Sequence, residues 1–491
     1  MLSTSGRVRR PGFTRIGLVV GLLTASLPIV AGAARSAPNC PSVKPPPLKF
    51  NEPLFIDENR AGGEPVSQVA QDGSIIVSAH AGTTHVYKDP TAVPGSADFL
   101  VGYTNQTLNW RSTDGGDTWQ YVGLAGQPAG PHSPTSTGFS DPDLTMDAGG
   151  RIYNTEIDLA NIAVFSSTDD GQSWPYGNPE ITPGDRPWLT GQEADEVFLY
   201  VRSLSPAALW RSTDGGITFT PVNQQIPNDG GKLLSDPKNP KSGLISPLFG
   251  GGAGISADDG ATWKTYPGNL TGGAAFFPII AADRKGTIYS AAAAGYQGSA
   301  DAESNGKVTF SYFDRKKKRW SPAYEIPTPT GDALWPWMIA GDDGRVAVVW
   351  YQTLAGNPDE FYIYAAYTMN GHGKRVTCSD GSTKFVPPQW SVVNASGRPI
   401  HVGEICLSGT TCNAEADFQD GDRRLGDFFT VNFDSKGNIF IASADTTLTS
   451  PTEGPKPVAN PIFIKQKRGT RLLARPDETR ESRCLFPLPS C

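Results

Sequence analysis

Histidine is scarce in this chain. There are five in 491 residues (His80, His85, His132, His372 and His401), and no two stand at metal-ligand spacing. Cysteine numbers six, none as Cys-x2-Cys, so the sequence supplies no metal site of the zinc type. No G-x-S-x-G elbow and no phosphate-binding Gly-x4-Gly-Lys loop occurs, which leaves serine-hydrolase and nucleotide chemistry without support. Charged residues make up only 19%, the net charge is -7, and no basic stripe runs along the chain, which argues against a nucleic-acid footprint. One basic run exists, Asp314–Arg319 (DRKKKR). It reads as a solvated hairpin tip, with an anionic-ligand patch as the alternative. Beyond residue 34 no apolar run reaches spanning length, so no membrane span is expected in the mature chain.

What is present points to an exported β protein. Arg7, Arg9, Arg10 and Arg15 precede an apolar run, Ile16 to Ala34, which is broken by Ser26 and Pro28 and has the small residues Ala31-Gly32-Ala33 near its end. Residues 1–33 therefore read as a signal peptide, with Arg9-Arg10 and Phe13 loosely of twin-arginine type, and the mature chain is expected to be secreted. Six cysteines in an exported chain imply disulfides. Cys406 and Cys412 close the short loop CLSGTTC and are the expected pair. Cys40, Cys378, Cys484 and Cys491 remain, either with a Cys484–Cys491 bridge or with one that ties a terminus to the body. Gly (55) and Pro (42) are abundant, yet aromatics reach 10% with 11 Trp, which suits many short strands joined by tight turns.

Four segments share Ser-x-Asp-x-Gly-x-(Thr/Ser)-(Trp/Phe): Ser112–Trp119, Ser167–Trp174, Ser212–Phe219 and Ser256–Trp263. They recur at roughly 44 to 55 residues, a period of solenoids and propellers. Strand–turn–strand units lie among them, opening near Gly63, Ser140, Gly184, Gly230, Phe276, Leu334 and Leu425. Residues 310–326, with Trp320, and the stretch leading to Trp390 read as decayed boxes, and residues 461–469 as a last strand. The expectation is an all-β propeller of four-stranded antiparallel blades, seven blades rather than six, spanning 63–469 and closed by its termini. Residues 34–62 are a Pro-rich lead-in, and 470–491 a tail carrying Cys484 and Cys491. Within each box, Asp114, Asp169, Asp214 and Asp258, with Ser112 and its equivalents, can bond their own turn, while Trp119, Trp174 and Trp263 pack on the blade. A motif present once per blade cannot converge on one centre, so these acids are expected to be structural.

The four boxes resemble the Asp-box, or BNR, repeat, and the chain resembles the sialidase-like superfamily of β-propellers from about Gly63 to Gly469. The resemblance implies a propeller. It leaves function open, since sialidases, xyloglucan-active glycosidases, sorting receptors and assembly factors all carry this box. Sialidases of this superfamily use an arginine triad, a Tyr–Glu nucleophile pair and a carboxylic acid/base. Their Phe/Tyr-Arg-Ile-Pro motif aligns here with Gly62–Val77. Pro65 matches the motif's proline, but Gly63 and Glu64 stand where Arg and Ile would be, so sialidase specificity is not expected.

Several inner strands start with a proline beside a distinctive residue: Glu64-Pro65, Asp141-Pro142-Asp143, Asp185-Arg186-Pro187-Trp188, Phe277-Pro278 and Trp335-Pro336-Trp337. Another start runs from Asp422 through Arg423, Arg424 and Gly426 to Asp427. Strand starts of a propeller face one mouth of the channel, so these residues could converge on a glycan. Asp141 or Asp143 is the candidate general acid, and Tyr351 the candidate nucleophile with Glu193 or Glu360 as partner. Glu64, Asp185, Arg186, Trp188, Trp335, Trp337, Arg423, Arg424 and Asp427 are the candidate substrate contacts. The alternatives are turn chemistry for Asp141, core packing for the tryptophans, and local pairing of the arginines with Asp185, Asp422 and Asp427. No cofactor is expected, and the acid-rich stretch Asp417–Arg424 is the one place that could hold calcium. The expected protein is a secreted monomer that binds a glycan or polysaccharide, with glycoside hydrolysis of non-standard specificity as its possible reaction. A non-catalytic protein- or polysaccharide-binding propeller and an envelope assembly factor are the competing readings.

Overall fold

The computed structural model describes residues 40–474 except 61, 81–106, 125–139, 159–160, 203–206, 272–276, 297–305, 409–421, 451–453 and 456–458. Seven antiparallel sheets of at least four strands form the blades of a propeller. Their inner strands are Gly63–Val69, Ser140–Met146, Asp185–Gly191, Leu234–Ser235, Ile279–Ala282, Ala333–Ala340 and Thr430–Phe433. All start at the same end of the central channel, here called the upper rim. Among the described residues the only helical element is a short turn, Phe249–Gly251. The seven units read from the sequence match the seven blades.

The lead-in is part of the last blade. Lys49–Phe50 and Leu54–Phe55 both pair with Asn460–Arg468, so a strand from before residue 62 completes the seventh sheet. Going further, Cys40 is disulfide-bonded to Cys378 on a hairpin of the sixth blade, and the Ser391 hydroxyl donates to the Pro45 carbonyl. In the other direction Trp110 of the first blade donates to Asp57 (3.0 Å), and the Arg60 guanidinium lies 4.0 Å over the Tyr121 ring. Residues 40–60 thus form a strap across blades six, seven and one, where the ring must close. Cys406 is also disulfide-bonded, but Cys412, Cys484 and Cys491 lie outside the described residues, as does the leader 1–33.

The four boxes have one geometry. Asp114 Oδ1 accepts from the Ser112 hydroxyl (2.8 Å) and the Thr118 N–H (2.9 Å), while Oδ2 takes the Thr118 hydroxyl (2.6 Å). Asp169, Asp214 and Asp258 repeat this with Ser173, Thr218 and Thr262. The carboxylate is consumed within its own turn. The glycine, however, does more than turn the chain. A Cβ on Gly116 would lie 2.1 Å from the Phe463 ring of blade seven, one on Gly171 2.5 Å from Ile76 of blade one, and one on Gly260 2.2 Å from Leu209 of blade three. Trp119 meets Phe463 edge-on at 5.0 Å. The box therefore seats each blade on the one before it, a contact that reading it as a local turn leaves out. In the fifth blade, which lacks the box, Arg315 reaches back to Asp236 of blade four with two hydrogen bonds (2.8 and 2.9 Å).

Candidate functional site at the upper rim

Four non-glycine residues stand at the same place in their blades, one before a proline, with positive φ: Glu64 (50°), Asp141 (50°), Arg186 (54°) and Trp335 (46°). Steric exclusion makes this rare for residues with a Cβ, and proline restricts its predecessor further, so each costs ~1–3 kcal/mol. Each coincides with a register break in the pairing of its inner strand: Gly63/Val66, Ser140/Asp143, Asp185/Trp188 and Leu334/Trp337. The extra residue is a bulge, which re-aims a side chain while the strand beyond it keeps its ladder.

In blades one and two the bulge brings a carboxylate onto neighbouring backbones. Glu64 Oε1 accepts the Asp427 N–H (2.7 Å) and Oε2 the Asp141 N–H (3.0 Å). Asp141 Oδ2 accepts the Arg186 N–H (3.2 Å), and its Oδ1 the Ser140 hydroxyl (2.8 Å). Glu64 is 2% exposed and Asp141 6%, so these are buried acids at a strained position. Arg423 forms an ion pair with Asp427. Arg186 lies 3.8 Å from the Asp185 carboxylate, with its guanidinium 4.7 Å over the Phe277 ring. His80 Nε2 stands 3.5 Å from Glu64 Oε2. The structure thus gathers Glu64, Asp141, Asp185, Arg186, Arg423 and Asp427 into one cluster, with His80 beneath it.

The electrostatics follow from burial. Loss of water, then the charges of Asp141 and Asp427, push the Glu64 carboxyl well above the usual range, with Arg423 in partial opposition. Burial, then Asp185 and Asp427, push Asp141 up to about 7, with Arg186 opposing. Two adjoining acids that resist ionisation can hold a proton near neutrality.

The other residues singled out from the sequence are placed differently. Trp188 and Trp337 join Phe277 and Phe428 in an aromatic plug across the channel, with ring centroids 5.2 to 5.8 Å apart. The Trp188 indole donates to the Gly230 carbonyl (2.7 Å), so its polar edge is satisfied inside. Trp335 is buried beside Tyr351 (5.9 Å between centroids). Asp143 lies below the bulge, held by Lys232 (2.6 and 2.7 Å) and the Leu189 N–H (2.8 Å). Asp143 and Lys232 line a channel cavity of about 350 Å³ that also takes in Ser67, Thr145, Trp337 and Asn432. Arg424 is bound to Asp422 through Nε and Nη2, which occupies the one described acid of the stretch proposed for calcium; Asp417 and Asp420 lie outside the described residues.

Tyr351 and Glu193 are not brought together. The Tyr351 hydroxyl shares a hydrogen bond with Ser443 (2.8 Å), its ring stacks on Phe429 at 4.2 Å, and burial raises its pKa, the reverse of what a nucleophile needs. Glu193 sits in the turn after Asp185–Gly191, at the opposite end of the channel. Glu360 bonds the Tyr362 hydroxyl (2.6 Å) and Asn357 (2.9 Å) on an outer hairpin.

Two residues of the cluster had only faint signals. His80 is the register partner of Gly63, which antiparallel pairing across the first hairpin predicts once its turn is located. Gly426, at φ 74°, lies against Glu64: a Cβ there would be 2.2 Å from Glu64 Cγ.

Fold and site define the class as a seven-bladed propeller with a buried acidic cluster at one mouth. No family model matches the chain. Among curated proteins, a xyloglucanase of Hypocrea jecorina (strain QM6a) is 27% identical over 226 residues, 44% of this chain and 24% of that protein. A xyloglucanase of a Paenibacillus sp is 31% identical over 183 residues, 30% of this chain and 17% of that protein. This chain thus spans about a quarter or less of the length of these relatives. Among solved structures, the GH74 enzyme of Niastella koreensis overlaps with a TM-score of 0.42 at 14% identity, over 82% of this chain and 63% of that one.

Proposed function

We propose that this chain is an extracellular glycan-active propeller that grips a neutral saccharide at its upper rim and hydrolyses it with Asp141 as proton donor. The observation that carries the reading is the cluster of Glu64, Asp141 and Asp427, in which a carboxyl raised to about 7 stands next to an ion-paired carboxylate. A glycosidase needs one carboxyl that still holds its proton near neutrality and one negative charge for the oxocarbenium-like transition state. Asp141 gives its proton to the leaving oxygen. Asp427, held by Arg423, stabilises the developing positive charge, and Asp185 and Arg186 bind sugar hydroxyls. Acids outnumber bases in this cluster, which disfavours a carboxylate-bearing sugar, as does Gly63 in place of an arginine. The similarity to xyloglucanases supports a β-glucan type of substrate, and the Cys40–Cys378 disulfide supports an oxidising, extracellular setting.

The test is hydrolysis of a panel of chromogenic glycosides and xyloglucan oligosaccharides by the full chain and by Asp141→Asn. Turnover of one substrate that falls about a hundredfold or more in the folded variant supports the reading. One observation favours a second reading: Glu64 and Asp141 accept backbone N–H groups of the adjoining blades and so also clamp the ring. Absence of turnover across the panel, with saccharide binding retained, would select a non-catalytic binding propeller in which these acids are clamps alone.

A further inference from the structure

The fifth blade departs from the box at the edge that faces away from the upper rim. Where blades one to four end their third strand in an acidic turn, here Lys307–Asp314 leads into Arg315-Lys316-Lys317-Lys318 and returns through Arg319–Trp320. Asp314 holds the turn by accepting the N–H groups of Lys316 (3.1 Å) and Lys317 (3.0 Å) and pairs with the Lys317 ammonium (2.7 Å). Arg315 is occupied by Asp236. Among the described residues no carboxylate pairs with Lys316, Lys318 or Arg319, and all three are exposed. Unpaired cations thus concentrate on one hairpin of a chain whose net charge is -7.

Beside them is a cavity of about 430 Å³ lined by Asn269, Tyr312, Lys317, Arg319 and Trp320, together with Asp314. Its size falls within the range of small-ligand sites. Two partly exposed aromatic residues are among its lining, and both are held in place. The Trp320 indole donates to the Tyr266 carbonyl (3.0 Å), and Tyr312 lies nearly parallel to Tyr324 (8°, 6.4 Å). Asn269 is fixed through its amide to the Ser321 carbonyl (2.7 Å). A preorganised aromatic residue suits the apolar face of a sugar, and Arg319 suits an anionic substituent on it, with Lys317 shared between that substituent and Asp314.

We infer that the lower edge of the fifth blade is a second saccharide site, for an acidic oligosaccharide carrying carboxylate or sulfate groups. It lies at the opposite end of the strands from the acidic cluster and does not depend on the reading of that cluster. Such a site would hold the protein on an acidic polysaccharide while the upper rim stays free for another chain.

The experiment is calorimetric titration of the full chain with an oligogalacturonate, a sulfated dextran oligomer and, as the neutral probe, the unsulfated dextran oligomer, following tryptophan fluorescence in parallel. At least one acidic probe should bind more tightly than the neutral one at this edge, and the stronger of the two identifies the substituent. Its affinity should fall tenfold or more in Lys317→Gln/Arg319→Gln, and severalfold in Trp320→Phe with the fluorescence change lost, while Asp141→Asn leaves it unchanged. Circular dichroism melts confirm that each variant is folded. Equal affinity of acidic and neutral probes, or an unchanged affinity in the double variant, would overturn the proposal. So would an unchanged affinity in Trp320→Phe combined with equal binding to anionic vesicles, because the surface would then be recognising charge alone.

Discussion

Glu64, Asp141, Arg186 and Trp335 each carry a Cβ into a backbone region that glycine ordinarily takes, and each does so before a proline. Strain repeated at four equivalent places is held there by the surrounding sheet, and at the first three it delivers a charged residue to the upper rim. Asp141 shows what this implies for pH. Its folded pKa is raised above the unfolded value near 4, so the protonated form favours folding. That contribution is whole below about pH 4 and is lost as pH rises through about 7. Asp141→Asn cannot ionise. Near pH 8 it should therefore be more stable than the native chain, by on the order of 4 kcal/mol, with the gap closing near pH 4 in denaturant titrations. A gap equally large at both would mean that burial of the charge is not its cause. Turnover, if Asp141 is the proton donor, should decline across the same interval on the alkaline side. Gly426→Ala gives a third readout at this scale. Its Cβ would displace Glu64, at a cost of roughly 1–3 kcal/mol with loss of turnover, measurable by melting and assay together.

At the scale of the element, the box combines two functions that a pattern of letters does not separate. Its acid satisfies the turn: the Thr118 hydroxyl and N–H hold Asp114 below the usual carboxylate range, so this contribution is present above about pH 4 and is lost in stronger acid. Its invariant-position glycine, the fifth residue of the box, touches the neighbouring blade. Gly115 and Gly116 distinguish the two, since both have positive φ (75° and 88°), but a Cβ on Gly115 meets nothing within 4 Å whereas one on Gly116 meets Phe463. Gly115→Ala should cost about 1 kcal/mol from backbone strain alone. Gly116→Ala should cost clearly more, roughly 2–4 kcal/mol, because a ring in the core must also move. Equal losses in chemical denaturation would remove the role assigned to the blade contact.

The whole molecule must join its last blade to its first, and it does so with a strap from the other end of the chain. The strap pairs with Asn460–Arg468, is bonded to Cys378 on one side, and reaches Trp110 on the other. The bridge spans 338 residues of sequence, so it restricts the unfolded chain strongly, with an expected contribution of ~2–4 kcal/mol. Cys40→Ser should lower the melting temperature by a few degrees, and hydrogen exchange should rise first in the sixth and seventh blades. Exchange that rises uniformly round the ring would instead point to a propeller held closed by its sheets alone.

Much of this architecture was legible beforehand. Seven hairpins and four boxes state the blade number because each depends on local chemistry: turn glycines, capping acids and alternating strands. The X-Pro strand starts were visible for the same reason, and they led to Glu64, Asp141 and Arg186. What the sequence could not resolve was the direction each side chain takes after the bulge. Trp188 and Trp337 turned inward to plug the channel, Asp143 went below it to Lys232, and Tyr351 went to Ser443. The destination of such a residue is decided by partners some 40 to 90 positions away. The sequence by itself determined the repeat, because every blade carries its own local instructions. Only the tertiary structure decided which of the gathered residues are buried acids and which are core, because that depends on the neighbouring blade that removes the water.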